Sequence, residues 1–301
     1  MFIGIAGSLP RQGIRPCLLS PREWMVRPLP SPRRRRRCDV PDVDSQGVRI
    51  HYELAGQGRP LVLLHGATLE GSAWSRAGYV KALERDHRLL ILDWRGHGQS
   101  AKPHEPKAYQ GEVMARDILA VVDAEAIERF AIWGHSSGGW LAWVAASAAP
   151  ERVAAMIATG SADPTPDTPE AWAEFDEGFG EPVRRAGMPA LVEATRRWER
   201  GPLPGWVEPM MLRADEDAFL ASISSENLDD GIASLDDFPV PVLLIVGEYE
   251  DEDAAAPRVA ATVPRGESLV LPGLGHIGAF DRSDLVLPAA RAFLDRWFPW
   301  G

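Results

Sequence analysis

The sequence predicts an α/β fold: a mostly parallel sheet, helices on both faces, and a helical insertion near the end of the sheet. Three observations lead there. Short continuous apolar runs recur along the chain, as strands covered on both faces require. Helical periodicity fills the intervals between these runs. One interval, 161–237, breaks the rhythm and holds no convincing strand.

The elements follow in order. Residues 1–42 carry prolines at 10, 16, 21, 28, 30, 32 and 41 and an arginine run, Arg33 to Arg37, with neither helical nor strand periodicity. They read as a disordered extension. The basic run comes last, so the segment does not have the order of a secretory signal. Its alternative reading is a mis-assigned start, with the native chain beginning at Val40; N-terminal sequencing of the endogenous protein tests this. Val48–Glu53 then alternates apolar and polar residues, as a strand with one exposed face does. Leu61–Leu64, Leu89–Leu92, Phe130–Trp133, Val153–Ile157 and Val242–Val246 read as buried strands, and Ser268–Leu271 as a weaker last one. Helices are expected over Trp74–Arg85, Glu112–Ile127, Ser137–Ala149, Ala254–Val263 and Leu285–Phe298. The insertion is rich in aromatic and Met residues, among them Trp172, Phe175, Phe179, Trp198 and Met210. The core is thus expected over 43–160 and 238–301, with a helical cap over 161–237.

Composition narrows the function classes. Of 32 basic and 43 acidic side chains, nine arginines and three acids lie in residues 1–42, leaving 23 against 40 for the rest. That balance argues against a nucleic-acid partner. No apolar run approaches the roughly 18–20 residues that span a bilayer, so no membrane partner is expected. The only cysteines, Cys17 and Cys38, precede the body. The body therefore has no disulfide and no thiolate nucleophile, in keeping with a cytoplasmic location.

The chemistry centres on Gly134-His135-Ser136-Ser137-Gly138. This G-x-S-x-G run follows an apolar strand and precedes a helical pattern, the setting that presents a serine hydroxyl over a sheet. Glycines at 134 and 138 let a sharp turn pack against its neighbours. Serine needs a base to take its proton and an acid to orient that base. Among seven histidines, His276 alone follows the insertion, in a glycine-rich loop, and gives the chain order Ser, acid, His. His135 is expected to point away from its neighbour Ser136. His87 and His104 read as surface residues. The acid stays open within Glu248 to Asp253, most of which reads as a solvated loop.

The set His65-Gly66, Asp93-Trp-Arg-Gly-His-Gly-Gln-Ser100, Gly134 to Gly139, Gly247-Glu-Tyr-Glu250 and Gly275-His276, in this order, resembles the α/β-hydrolase superfamily. The resemblance is to its small esterase, lactonase and cofactor-free haloperoxidase branch, over about residues 44–299, with the insertion matching poorly. It implies an eight-stranded sheet with the cap between strands 6 and 7. It implies Ser136 as nucleophile, His276 as base and Glu250 as acid, where the family usually carries Asp. Asp251, Asp253 and Asp163 are the alternative acids. The backbone N–H groups of Ala67 and Ser137 are the expected oxyanion donors. His65 is expected to brace its loop, and Asp93 to Ser100 to pack around the site. The implied activity is hydrolysis of a carboxylic ester, lactone or thioester of a small, partly apolar molecule, with no metal or cofactor. Epoxide hydrolases and haloalkane dehalogenases of this fold use an Asp nucleophile, which Ser136 argues against. Two rival readings are a cofactor-free dioxygenase with His276 as base and a non-catalytic small-molecule receptor. The first shares the Trp-Arg-Gly-His-Gly turn and the Ser-x-Gly-Gly-Trp elbow.

Overall fold

The computed structural model describes residues 41–165, 168–224, 227, 232, 234–251 and 254–300. The expected disordered extension falls, up to residue 40, outside the described residues, as does Asp253. Eight strands form one sheet: β1 (Asp42–Ser45), β2 (Val48–Ala55), β3 (Arg59–Leu64), β4 (His87–Asp93), β5 (Phe130–His135), β6 (Val153–Thr159), β7 (Val242–Gly247) and β8 (Gly266–Leu271). Their spatial order is β1-β2-β4-β3-β5-β6-β7-β8. β2 runs antiparallel to β1 and β4, and the remaining neighbours are parallel.

β1 is the strand that no apolar run announced. It is four residues long, and it forms a hairpin with β2 through Gln46 and Gly47, both at positive φ (56° and 83°). That is the backbone a tight hairpin turn demands. It also moves the start of regular structure to Asp42, inside the segment expected to be disordered.

Before β5 come α1 (Ser72–Arg76), α2 (Tyr79–Leu83) and α3 (Gly111–Ala124), and α4 (Ser137–Ala148) follows it. The single helix expected over Trp74–Arg85 is thus two, because Gly78 between them sits at φ +91°. Between β6 and β7 lie α5 (Pro169–Phe175), α6 (Glu181–Ala186), α7 (Met188–Glu199), α8 (Val207–Met211) and α9 (Glu216–Ser222), with a π-turn joining the first two. The chain closes with α10 (Ala255–Thr262), α11 (His276–Asp281) and α12 (Ser283–Trp297).

Strand residues alternate between two apolar cores. Val62 and Leu64 face α3, α4 and α10, whereas Leu61 and Leu63 face α1, α2 and α12. On α3, Met114, Ile118, Val121 and Val122 recur at i, i+4, i+7 and i+8 and are buried, as an amphipathic helix on a sheet must be. Insertion residues such as Leu191 and Met211 extend the second core over the ends of the parallel strands. Among the described residues, no helix is long and apolar enough to cross a membrane.

Candidate active site

Ser136 stands between the last residue of β5 and the first of α4, at φ 55°, ψ −126°. A non-glycine residue there is strained, and surrounding contacts must hold it. The Ser136 N–H donates to the Thr159 carbonyl on β6 at 2.7 Å. A Cβ on Gly134 would lie 1.9 Å from the Gly138 carbonyl oxygen, and one on Gly138 would lie 2.4 Å from that of Leu64. The turn therefore closes only with glycine at both positions. Ser136 Oγ has no hydrogen-bond partner among the described residues and opens onto a cavity.

The loop after β3 lies alongside. A Cβ on Gly66 would reach 3.0 Å from Ser136 Cβ, so glycine permits the close approach. His65 accepts the Trp94 indole N–H on its carbonyl at 2.9 Å, and its ring bonds to the Gly66 carbonyl at 2.8 Å. The Thr68 N–H donates to His97 Nε2 at 3.0 Å, holding Thr68 at φ +62°. Asp93 accepts the N–H groups of Gly71 and Gln99 at 2.7 and 2.8 Å. The run 93–100 thus serves to stiffen one wall of the site. The Ala67 and Ser137 amides have no acceptor among the described residues, and both residues line the cavity beside Ser136.

His276 is the first residue of α11, not part of a flexible loop as expected. Its Nδ1 donates to Glu250 Oε2 in a short contact; the two side chains are 11% and 8% exposed. Glu250 Oε1 accepts the Gly247 N–H at 2.8 Å, which fixes the carboxylate at the end of β7. Asp251 instead accepts the Ala256 N–H at 2.8 Å at the start of α10. Asp163 accepts from the Thr165 N–H and hydroxyl and faces Arg258 at 3.6 Å. Each of these two carboxylates is committed to local structure, and the one brought to His276 is that of Glu250. Burial lowers the His276 pKa, but the charge and hydrogen bond of Glu250 and the charge of Glu199 outweigh it and raise it above 6.5.

One further histidine expectation is corrected, that for His87. The His135 ring is buried beside the site: it stacks on Phe280 at 4.2 Å and lies 4.8 Å from that of His276. Burial, then the nearby His276, hold its pKa well below 6.5. His87 is fully buried rather than on the surface, because Arg59 and α12 close over the start of β4. His104 is half exposed and faces Asp215 at 3.0 Å.

Sequence reasoning missed two neighbours of His276. Gly160, at φ +65° after β6, faces the imidazole: a Cβ there would lie 2.6 Å from His276 Cε1 and 3.3 Å from Glu250 Oε2. A glycine directly after a buried strand was its only signal. Glu199, 3% exposed at the end of α7, reaches the backbone next to His276.

The cavity has two lobes of about 380 and 370 Å³ that share Ser136, Ser137, Gly160 and Phe175. The first runs past Trp94, Tyr109, Met114 and Trp140 towards Asp163. The second is lined by Ala67, Leu191, Met211, Phe219 and His276.

A family model described as "alpha/beta hydrolase fold" matches residues 59–205. The chain is 33% identical to epoxide hydrolase 4 of Mus musculus over 122 residues, 40% of this chain and 33% of that one. It thus spans about a third of that relative's length. It is 26% identical to a Bacillus subtilis protein named for 2-succinyl-6-hydroxy-2,4-cyclohexadiene-1-carboxylate synthase, over 77% of this chain and 89% of that one. A thermophilic esterase from Thermogutta terrifontis superposes with a TM-score of 0.71 at 23% identity, over 85% of this chain and 97% of the other.

Proposed function

We propose that this chain, whose architecture is the α/β-hydrolase fold, is a cytoplasmic serine hydrolase cleaving carboxylic esters, lactones or thioesters through an acyl-enzyme. One observation carries this reading: Ser136, strained on its elbow, opens onto the cavity that also exposes His276, itself oriented by Glu250. A serine in place of an aspartate supports acyl rather than alkyl transfer, whatever the likeness to an epoxide hydrolase.

Ser136 Oγ attacks the carbonyl carbon while His276 Nε2 takes its proton. The charge that develops on the carbonyl oxygen meets the amides of Ala67 and Ser137, each donor of this kind contributing about 10²–10³ in rate. Collapse breaks the bond to the leaving oxygen, or sulfur in a thioester, which takes the proton from His276. Water then attacks the acyl carbon and gives a proton to the same nitrogen; collapse breaks the bond from the acyl carbon to Ser136 Oγ, which takes that proton back as the acid leaves. Glu250 accepts the His276 Nδ1–H and holds the ring in place.

The proton donor sets the direction of the substrate. His276 lines the 370 Å³ lobe, so the leaving alcohol occupies that lobe, and the acyl part extends past Trp94 and Trp140 in the other. Apolar walls on both sides favour a small, partly apolar substrate.

The test is labelling with a fluorophosphonate beside hydrolysis of short- and medium-chain p-nitrophenyl esters. Wild type is expected to label and to turn over, and Ser136→Ala to do neither while remaining folded. A wild type that neither labels nor hydrolyses overturns the proposal in favour of the dioxygenase or receptor reading.

A further inference from the structure

The carboxylate of Glu199 is in an unusual place. It ends α7, in whose last turn a negative charge opposes the helix dipole, and it is 3% exposed. A buried acid in that position costs stability unless strong partners meet it. The partners are on α11: Oε2 accepts the Ile277 N–H at 2.9 Å and Oε1 accepts the Gly278 N–H at 2.6 Å. These are the two amides that follow His276. Two glycines make room for the contact, since a Cβ on Gly275 would lie 2.8 Å from Glu199 Oε1 and one on Gly278 would lie 3.2 Å from it. The next residue back, Trp198, lays its ring 4.9 Å from the His276 ring. Thr195 and Trp198, at i−4 and i−1 from Glu199, both line the cavity. One end of an insertion helix thus touches His276 through both its ring and its backbone.

We propose that Glu199 is a positioning residue for the hydrolytic reaction: clamped on the Ile277 and Gly278 amides, it fixes the backbone next to His276 and ties the seating of the insertion to the alignment of the base. The inference rests on reading Ser136 and His276 as the hydrolytic pair. The groups that face His276 are Glu250 from the loop after β7, Glu199 from α7 and His135 from the end of β5. His135 stays neutral, so the two carboxylates set the charge around the base, and removing the Glu199 charge lowers the proton affinity of His276.

Glu199→Gln and Glu199→Asp test this by ester kinetics against pH and by NMR titration of the His276 imidazole. In Glu199→Gln, kcat is expected to fall by about 10²-fold, the cost of a misaligned base, with KM within a few-fold. The acid limb of kcat/KM and the imidazole titration are both expected to move to lower pH. Glu199→Asp keeps the charge but is a methylene too short for both amides, so it should lose kcat with a smaller titration shift. It also serves if the glutamine variant does not fold. A folded variant with wild-type kcat and an unmoved titration overturns the proposal, as does a loss confined to KM or to thermal stability. The titration does not need turnover. A wild type inert to esters with a Glu199-dependent His276 titration therefore sinks the hydrolase reading and not the clamp.

Discussion

Gly160 tests how tightly the site is built. Its Cα faces the imidazole of His276, whose ring is already bounded by His135 and Trp198. Alanine at 160 places a methyl group 2.7 Å from His276 Nδ1, inside any tolerable contact, and the ring has to leave the Glu250 carboxylate. Gly160→Ala is expected to lower kcat/KM by about 10²-fold or more and to slow fluorophosphonate labelling in proportion. The positive φ of 65° adds about 1–2 kcal/mol of backbone strain. Gly47→Ala separates the two effects: Gly47 sits at φ +83° with nothing within 4 Å of the added Cβ, in the hairpin. It should cost similar stability and leave turnover unchanged. Equal activity losses in both variants would assign the effect to strain and not to contact with His276.

At the scale of elements, the turn after β4 is bolted to α3 by a buried ion pair. Arg95 Nε and one guanidinium nitrogen each meet an Asp117 carboxylate oxygen at 2.7 Å, and another nitrogen donates to the Ala108 carbonyl at 2.9 Å. Both side chains are 2% exposed. Burial raises the Asp117 pKa, and the Arg95 contacts only partly counter it. Arg95→Met strands a buried carboxylate and is expected to destabilise by about 3–5 kcal/mol in chemical denaturation, whereas adding Asp117→Leu recovers much of that loss. A double variant as unstable as the single one would show that packing of Arg95, not its charge, holds the turn. Local sequence determines some of these elements and not others. The apolar runs of β3 to β7 and the G-x-S-x-G turn were legible because local pattern alone determines them. Glu250 could be named only through a resemblance, since nothing local separates it from Asp251; the difference lies in which carboxylate reaches a histidine 26 residues away. β1 was hidden because it is four polar-leaning residues paired to an edge, and the break at Gly78 because one left-handed residue outweighs a helical pattern. Gly160 and Glu199 act through contacts across the sheet and across the insertion, which no spacing in the chain records.

Across the whole molecule, the buried histidines set the response to acid. Burial lowers the pKa of His65, His87, His97 and His135, with His87 brought down to about 4 beside Arg59. Each is neutral in the fold, yet takes a proton near pH 6.5 once the chain unfolds. The unfolded state then binds more protons than the native one, so stability rises with pH and is lost as pH falls below about 6.5. For His87 the loss continues down to about pH 4. His276 works the other way only above about pH 6.5, where its raised pKa makes the native state the better proton acceptor; below that both states carry the proton and it offsets nothing. Each unmatched proton steepens the dependence by up to about 1.4 kcal/mol per pH unit. Urea denaturation should therefore show the midpoint falling steadily from pH 7 to pH 5. His87→Leu provides the decisive comparison, since His87 opens β4 at the end of the strand away from Ser136 and its two ring nitrogens have no hydrogen-bond partner among the described residues. The variant should keep ester hydrolysis and flatten the slope by about one proton's worth. A wild-type midpoint that does not change between pH 7 and pH 5 would mean that the native state protonates these histidines without cost, and that the buried rings are far more open to water than their packing implies.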